Sequence, residues 1–137
     1  LMSKIRHLAI MCVDPEKTGS FYEDVFDLKI LYKTKDGSVF MTDGYMNLAL
    51  LRSKTENTPP GLYHFGFHVE DGKEIDQRIS EITGRKATVR PDDRPYAETR
   101  GMDPDGNLFD ISVHGYMTEE FAPKRREKTD AKEKLDA

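Results

Sequence analysis

Residues 4–13 alternate between two kinds of side chain, as a β-strand with two different faces does. Leu8 and Ile10 would point to one face, and His7 and Ala9 would point to the other. The pattern therefore predicts a strand with an apolar face that packs in a core and an opposite face that carries a histidine.

A helix and three short strands are predicted after this first strand. Asp14 followed by Pro15 is typical of a helix start, because aspartate caps the first amide groups and proline fits the first turn. Phe21, Val25 and Phe26 then recur at helical spacing. Apolar runs punctuated by Asp-Gly turns predict strands over residues 28–34, 38–42 and 46–51.

The same order of elements is predicted a second time after residues 53–61, which contain two prolines and a glycine and are typical of a linker. Residues 63–70 alternate strictly, as a strand does. Ile75 and Ile79 recur at helical spacing, and Gly84 is placed to end the helix. Further strands are expected over residues 87–90, 96–102 and 107–114.

The chain is therefore an internal repeat, in which His7 of the first copy corresponds to His64 of the second. We predict an α+β fold in which two βαβββ modules, residues 4–52 and 62–115, form one curved eight-stranded sheet within a single domain. Both helices should lie on its convex face. Their apolar residues should be buried against the strands, namely Phe21, Phe26, Ile75 and Ile79 against Leu8, Ile10, Phe65 and Phe67.

Residues 116–137 form a highly charged C-terminal tail that the repeat does not include. One interpretation is a frayed helix or a disordered tail, because a dense mixture of charges buries little apolar surface. The other is a helix that docks on a partner subunit through Met117 and Phe121.

The composition narrows the class of protein. The chain has 137 residues, a formal net charge of −4 and 34% charged residues. No apolar run approaches the roughly 20 residues that span a bilayer, and no basic stripe suggests a nucleic-acid partner. The lone Cys12 forms no internal disulfide, so we expect a reducing, cytoplasmic environment.

The candidate chemistry lies on the strand faces opposite the apolar ones. These faces carry Asp110 and all four histidines of the chain, which are His7, His64, His68 and His114. Imidazole and carboxylate groups together suit a divalent transition metal, and two histidines with one carboxylate leave coordination positions open for a substrate. The alternative is that these histidines are ordinary polar groups on the surface of a sheet.

Three segments carry a family resemblance in the order of the repeat, namely IRHLAIMCVDPEKTGSFYEDVFDLKIL, YHFGFHVED and DPDGNLFDI. They are similar to segments of the vicinal oxygen chelate superfamily, which includes glyoxalase I, bleomycin-resistance proteins and extradiol dioxygenases. The resemblance covers residues 4–115. It implies a dimer or pseudo-dimer of curved sheets that encloses a metal ion, with ligands on the first and last strands of each module.

The resemblance places three metal ligands on this sequence, namely His7, His64 and Asp110. The fourth ligand, a glutamate in glyoxalase-type members, should fall within residues 46–51. No carboxylate is present there, because Asn47 is the only polar side chain and Ala49 is the closer equivalent. The remaining set of two histidines and one carboxylate is the one that the extradiol dioxygenases use.

Further roles are expected around this site. His68 and His114 are candidate acid–base groups in the cleft, because imidazole titrates near neutral pH, or they bond to backbone carbonyls. Asp110 is also a catalytic candidate. Asn47 and Arg100 are candidate substrate contacts. Arg100 stands where extradiol enzymes carry a tyrosine, and it either binds a substrate anion or pairs with a neighbouring glutamate.

Two functions follow as hypotheses. The first is a metal-dependent enzyme of the lyase, isomerase or dioxygenase type, with Fe, Mn, Ni or Zn, acting on a small substrate that chelates the metal through vicinal oxygens. The second is a non-catalytic binding or resistance protein of the same fold. Because uncovered sheet edges promote association, a homodimer is expected in either case.

Overall fold

The computed structural model describes residues 3–55, 58–89 and 98–116. They form two helices and eight strands in the predicted order. These are β1 (Lys4–Cys12), α1 (Pro15–Phe26), β2 (Lys29–Lys33), β3 (Val39–Thr42), β4 (Asn47–Arg52), β5 (Gly61–His68), α2 (Gly72–Thr83), β6 (Thr88–Val89), β7 (Thr99–Met102) and β8 (Leu108–Ser112).

The start of α1 at Asp14 and the end of α2 at Gly84 agree with the sequence prediction. The carboxylate of Asp14 accepts a hydrogen bond from the backbone amide of Lys17 at 3.1 Å and caps α1. Asp71 caps α2 in the same way, and Gly84 ends it in the left-handed conformation with φ 70°. The two modules therefore use the same local signals for their helices.

The eight strands form one mixed sheet in the order β2-β3-β4-β1-β5-β8-β7-β6. Within each module the first and last strands are parallel, β1 with β4 and β5 with β8. The modules join where β1 and β5 run antiparallel at the centre of the sheet. This arrangement confirms the predicted α+β fold of two βαβββ modules.

Helix α1 packs on β2, β3 and β4 through a different face from the one predicted. Phe21 and Phe26, expected in the core, are 55% and 62% exposed. The buried residues of α1 are Pro15 and Gly19. Gly19 faces Val39, Leu50 and Met41 on the sheet, and the phenylalanines are turned outwards.

The two faces of the sheet also differ from the expectation. Leu8, predicted to be buried, is 37% exposed, whereas His7 and Ala9 on the opposite face are 3% and 0% exposed. The other five residues predicted in the core are partly buried, namely Ile10, Phe65, Phe67, Ile75 and Ile79. The best-buried surface of β1 is therefore the one that carries the histidine.

Part of the predicted chain organisation lies outside the described residues, including Met117, Phe121 and the first part of the predicted strand 96–102. Tyr116, counted with the charged tail from its position, is 1% exposed and packs in a cluster with Ala9 and Ala49. It therefore belongs to the core of the domain. No helix among the described residues is both long and apolar enough to cross a membrane.

Candidate metal centre

The register of the sheet places one row of side chains across five strands. His7 on β1 is paired with Asn47 on β4 and with Gly66 on β5. Gly66 is paired with Asp110 on β8, which is paired in turn with Arg100 on β7. Since residues paired across a sheet point to the same side, the four side chains of this row share one face.

His64 lies on the same face as this row, because it is two residues before Gly66 on the same strand. Its Nε2 is 3.2 Å from Nε2 of His7 and 2.9 Å from Oδ2 of Asp110. The His7 Nε2 to Asp110 Oδ2 distance is 3.9 Å. All three side chains are buried, so residues far apart in sequence bring three potential ligands to one enclosed point.

Asn47 determines which nitrogen of His7 faces this point. Oδ1 of Asn47 lies 2.7 Å from Nδ1 of His7, and Nδ2 of Asn47 donates to the backbone carbonyl of Tyr116 at 3.3 Å. With the amide held in this orientation, Nδ1 of His7 is the donor and Nε2 keeps its lone pair. Burial, with the neighbouring His64, lowers the pKa of His7 to about 4, so the ring is neutral at pH 7.

Asn47 was predicted as a substrate contact. It is completely buried, and its carboxamide is used by His7 and Tyr116. Its hydrogen bond is placed to orient the ring of His7, and a contact with substrate stays a prediction.

Arg100 forms an ion pair with Asp110. Its Nε donates to Oδ1 of the carboxylate at 2.7 Å, and Nη2 lies 3.5 Å from Oδ2. Burial opposes ionisation of Asp110, but the hydrogen bonds from His64 and Arg100 outweigh it and lower the pKa of Asp110 to about 2. Asp110 is therefore a carboxylate with Oδ1 on Arg100 and Oδ2 towards the histidines.

The position expected for a fourth ligand holds an alanine beside aromatic rings instead of a carboxylate. Ala49 is paired with Ala9, two residues after His7, as Asp110 is paired with Gly66, two residues after His64. The space beside Ala49 is occupied by the buried rings of Tyr32, Phe40 and Tyr116. The register thus agrees with the expectation that Ala49 stands where glyoxalase-type members have a glutamate.

His68 and His114 lie outside the three-residue cluster. A ring nitrogen of His68 bonds to the backbone carbonyl of Val113 at 3.2 Å, which is the alternative considered from the sequence. His114 pairs with Glu98 and is half exposed. A catalytic role for either histidine stays a prediction.

Tyr116 is the residue of the site that sequence reasoning missed. Its ring is stacked on His7 with 4.7 Å between the ring centroids and 3° between the planes. One sequence signal for this ring was Gly66, which has no side chain and so leaves space on β5 beside His7. That signal could be interpreted only once the pairing of β1 with β5 was known.

The donor set fits a divalent transition metal. Two ligand atoms that are each about 2.1 Å from one ion lie roughly 3.0–3.4 Å apart at octahedral or tetrahedral angles. The distance between the two Nε2 atoms and the distance from His64 Nε2 to Asp110 Oδ2 are close to this range. Two neutral imidazoles and one carboxylate form the set that holds non-haem iron and leaves coordination positions open. His7, His64 and Asp110 could therefore hold such an ion.

Comparison with known proteins assigns the family. Residues 4–111 match the family model of the Glyoxalase/Bleomycin resistance protein/Dioxygenase superfamily, and the chain belongs to this superfamily. A search of curated proteins gives no match.

Solved structures share the fold at low sequence identity. A superfamily member from Vibrio splendidus 12B01 has a TM-score of 0.58 at 22% identity, and the match covers 80% of this chain and 97% of that one. A 2,3-dioxygenase from Pseudomonas sp. KL28 has a TM-score of 0.65 at 18% identity, covering 80% and 40%. Methylmalonyl-CoA epimerase from Mycobacterium tuberculosis has a TM-score of 0.60 at 17% identity, covering 78% and 85%.

Proposed function

We propose that this protein is a metal-dependent enzyme that acts on a small substrate carrying two adjacent oxygen atoms. The observation that carries the proposal is the convergence of His7, His64 and Asp110, whose ligand atoms lie within 3.9 Å of one another in a buried site. A divalent ion bound there would act as a Lewis acid towards the substrate oxygens, and iron would also support oxygen chemistry. The reaction is of the lyase, isomerase or dioxygenase type.

The charges of the site favour an anionic substrate. One carboxylate and two neutral imidazoles do not neutralise a divalent ion, and Arg100 adds a further positive charge beside Asp110. A guanidinium has five N–H donors, so the two bonds to Asp110 leave some for a substrate anion. We propose that Arg100 contacts the substrate on this basis.

Metal analysis with single variants tests the proposal. Protein purified without added metal and then reconstituted should bind one equivalent of Fe, Mn, Ni or Zn, and iron is the metal that this ligand set favours. His7→Ala and His64→Ala should each lose it. His68→Ala and His114→Ala, which remove imidazoles outside the cluster, should keep it. Failure of the reconstituted wild-type protein to bind metal would overturn the proposal.

A non-catalytic binding protein is the second candidate, and the Arg100–Asp110 ion pair favours it. This pair compensates the buried charge of Asp110 with no need for a metal. If the reconstituted protein is free of metal and still binds small anionic ligands, the binding function replaces the enzymatic one.

We also propose that the protein forms a homodimer. Helix α1 leaves Phe21, Val25 and Phe26 more than half exposed, and Leu8 and Ile5 are exposed on the sheet. Large apolar side chains grouped on one exposed helix face, as on α1, are typical of an interface.

Sedimentation velocity at increasing protein concentration tests the dimer. Phe21→Glu should dissociate it, whereas Ile82→Glu, at an exposed position of α2, should not. A wild-type protein that sediments as a monomer at high micromolar concentration would contradict the proposal.

A cytoplasmic location is proposed from the state of the single cysteine. Cys12 is buried and forms no disulfide, and burial raises the pKa of its thiol. Such a thiol is compatible with a reducing compartment. Fractionation of cells that express the full-length protein, with immunodetection in each fraction, tests the location.

A further inference from the structure

Tyr116 contacts the candidate metal centre through its ring. The phenol ring lies parallel to the imidazole of His7, with 4.7 Å between the ring centroids. Its hydroxyl donates to the backbone carbonyl of Phe67 at 3.2 Å, which anchors the far end of the ring on β5. The ring is 1% exposed, so its position is fixed by packing as well as by this hydrogen bond.

The neighbouring residues are arranged to admit this ring. A Cβ atom on Gly66 would lie 2.5 Å from the Tyr116 hydroxyl and 3.0 Å from Cβ of His7. Only glycine therefore allows the phenol to cross β5 beside His7. The backbone carbonyl of Tyr116 accepts the hydrogen bond from Asn47, which is the residue that holds Nδ1 of His7.

We propose that Tyr116 is a positioning residue that holds the imidazole of His7 in the orientation that presents Nε2 to the metal. The proposal rests on the proposed metal-binding function and deepens it. The two restraints on His7 are different in kind. The hydrogen bond to Asn47 fixes which nitrogen carries the proton, and the stacked phenol fixes the plane of the ring.

The plane of the ring matters because a metal ligand must direct its lone pair at the ion. Rotation of the imidazole about its bond to Cβ would carry Nε2 away from His64 and Asp110. A flat ring parallel to the imidazole blocks this rotation, whereas a flexible side chain of similar volume does not. The orientation of His7 therefore depends on the shape of residue 116 as well as on its size.

Titration with Co²⁺ alone, followed by its visible absorption, tests the proposal on the full-length protein. Tyr116→Met keeps much of the buried volume but removes the flat ring, and it should weaken Co²⁺ binding by about 10- to 100-fold, the usual effect of losing a group that orients a ligand. Tyr116→Phe keeps the stacked ring and should change the affinity by less than about 10-fold. Tyr116→Leu replaces the methionine variant if that variant fails to fold.

Tyr22→Met is the matched control. Tyr22 packs against a separate cluster beneath α1, so its substitution should lower stability without changing Co²⁺ affinity. Equal affinities for the wild type and Tyr116→Met would overturn the positioning role. So would an equal loss in Tyr22→Met, because the effect would then come from general destabilisation.

Nitrogen-15 NMR of the His7 side chain in the metal-free protein gives a second readout. The wild type should show one tautomer with the proton on Nδ1, in a single environment. Tyr116→Met should show exchange between ring environments, and Tyr116→Phe should resemble the wild type. An unchanged His7 signal in Tyr116→Met would overturn the proposal. If the wild type binds no metal, the proposed function fails, and the NMR comparison still decides the positioning role.

Discussion

At the scale of single residues, the two histidines of the candidate centre are held very differently. His7 is bonded to Asn47 at Nδ1 and stacked on Tyr116. Nδ1 of His64 is buried and has no hydrogen-bond partner among the residues that the structure describes. The orientation of His7 is therefore built into the fold, whereas that of His64 depends mainly on its contacts with Asp110 and His7.

Replacing Asn47 should disturb the orientation of His7 without removing any of the three candidate ligands. Asn47→Leu leaves Nδ1–H of His7 buried and unbonded, which costs about 1–3 kcal/mol of folding free energy. The metal affinity should also fall, by about 10- to 100-fold. Urea unfolding and metal titration measure the two effects. Asn107→Leu, at an exposed turn, is the control for the chemical change, and an unchanged metal affinity in Asn47→Leu would contradict the role assigned to Asn47.

The buried His7 should make stability depend on pH. Its pKa is about 4 in the folded protein against a usual 6.5, so between these values the unfolded chain binds a proton that the folded chain does not. The contribution is fully present above pH 6.5 and is lost as the pH falls to 4, by about 3 kcal/mol. Asp110, with a pKa lowered from 3.8 to about 2, adds a further loss below pH 3.8.

Urea unfolding of the metal-free protein at pH 7, 5.5 and 4.5 measures this effect. The free energy of unfolding should fall more steeply in the wild type than in His7→Gln, which has no imidazole to protonate. Parallel pH dependences for the two proteins would show that His7 is not held neutral by the fold.

At the scale of secondary-structure elements, the sequence predicted the strands and helices well because their signals are local. Alternation predicted β1 and β5, and Asp14 and Gly84 marked a helix start and a helix end where the structure places them. The buried face of α1 was predicted wrongly. Phe21 and Phe26 have helical spacing, but the helix buries Gly19 against the sheet, and a glycine gives no hydrophobic signal.

The role of Gly19 leads to a prediction with a defined sign. A Cβ atom at this position would meet Val39, Leu50 and Met41 at 3.4–3.6 Å, which is ordinary contact. Gly19→Ala should therefore stabilise the protein by about 0.5–1 kcal/mol, because alanine favours the helix. Gly19→Leu should destabilise it by about 1–3 kcal/mol through overpacking. Thermal and urea unfolding measure both changes, and a Gly19→Leu protein as stable as the wild type would contradict this packing.

Two strand glycines should respond differently to the same substitution. Gly66→Ala places a methyl group 2.5 Å from the Tyr116 hydroxyl, so it should lower both stability and metal affinity. Gly101→Ala places one 2.6 Å from the ring of Phe109, on the other face of the sheet, so it should lower stability alone. Unfolding and metal titration of both variants separate the effects. Metal affinity that falls equally in both would contradict the assignment of Gly66 to the centre.

At the scale of the whole molecule, the repeat made part of the site predictable. Corresponding positions in the two modules indicated His7 and His64, and the resemblance added Asp110. The roles of Asn47 and Tyr116 depend on which residues meet across strands, and local patterns carry no information on that register. The geometry of the sheet supplied it by pairing His7 with Asn47 and Gly66.

The candidate centre also joins the two halves of the molecule. His7 comes from the first module, and His64 and Asp110 come from the second. A bound ion would cross-link β1 with β5 and β8 in the folded state only. Free metal at about 100 times its dissociation constant should therefore raise the free energy of unfolding by about 2.7 kcal/mol. Thermal unfolding with and without metal measures the shift.

His7→Ala should abolish this metal-dependent shift, and His114→Ala should retain it, because His114 pairs with Glu98 away from the cluster. A metal-dependent shift of equal size in His7→Ala would place the ion elsewhere on the protein and would contradict a centre shared by the two modules.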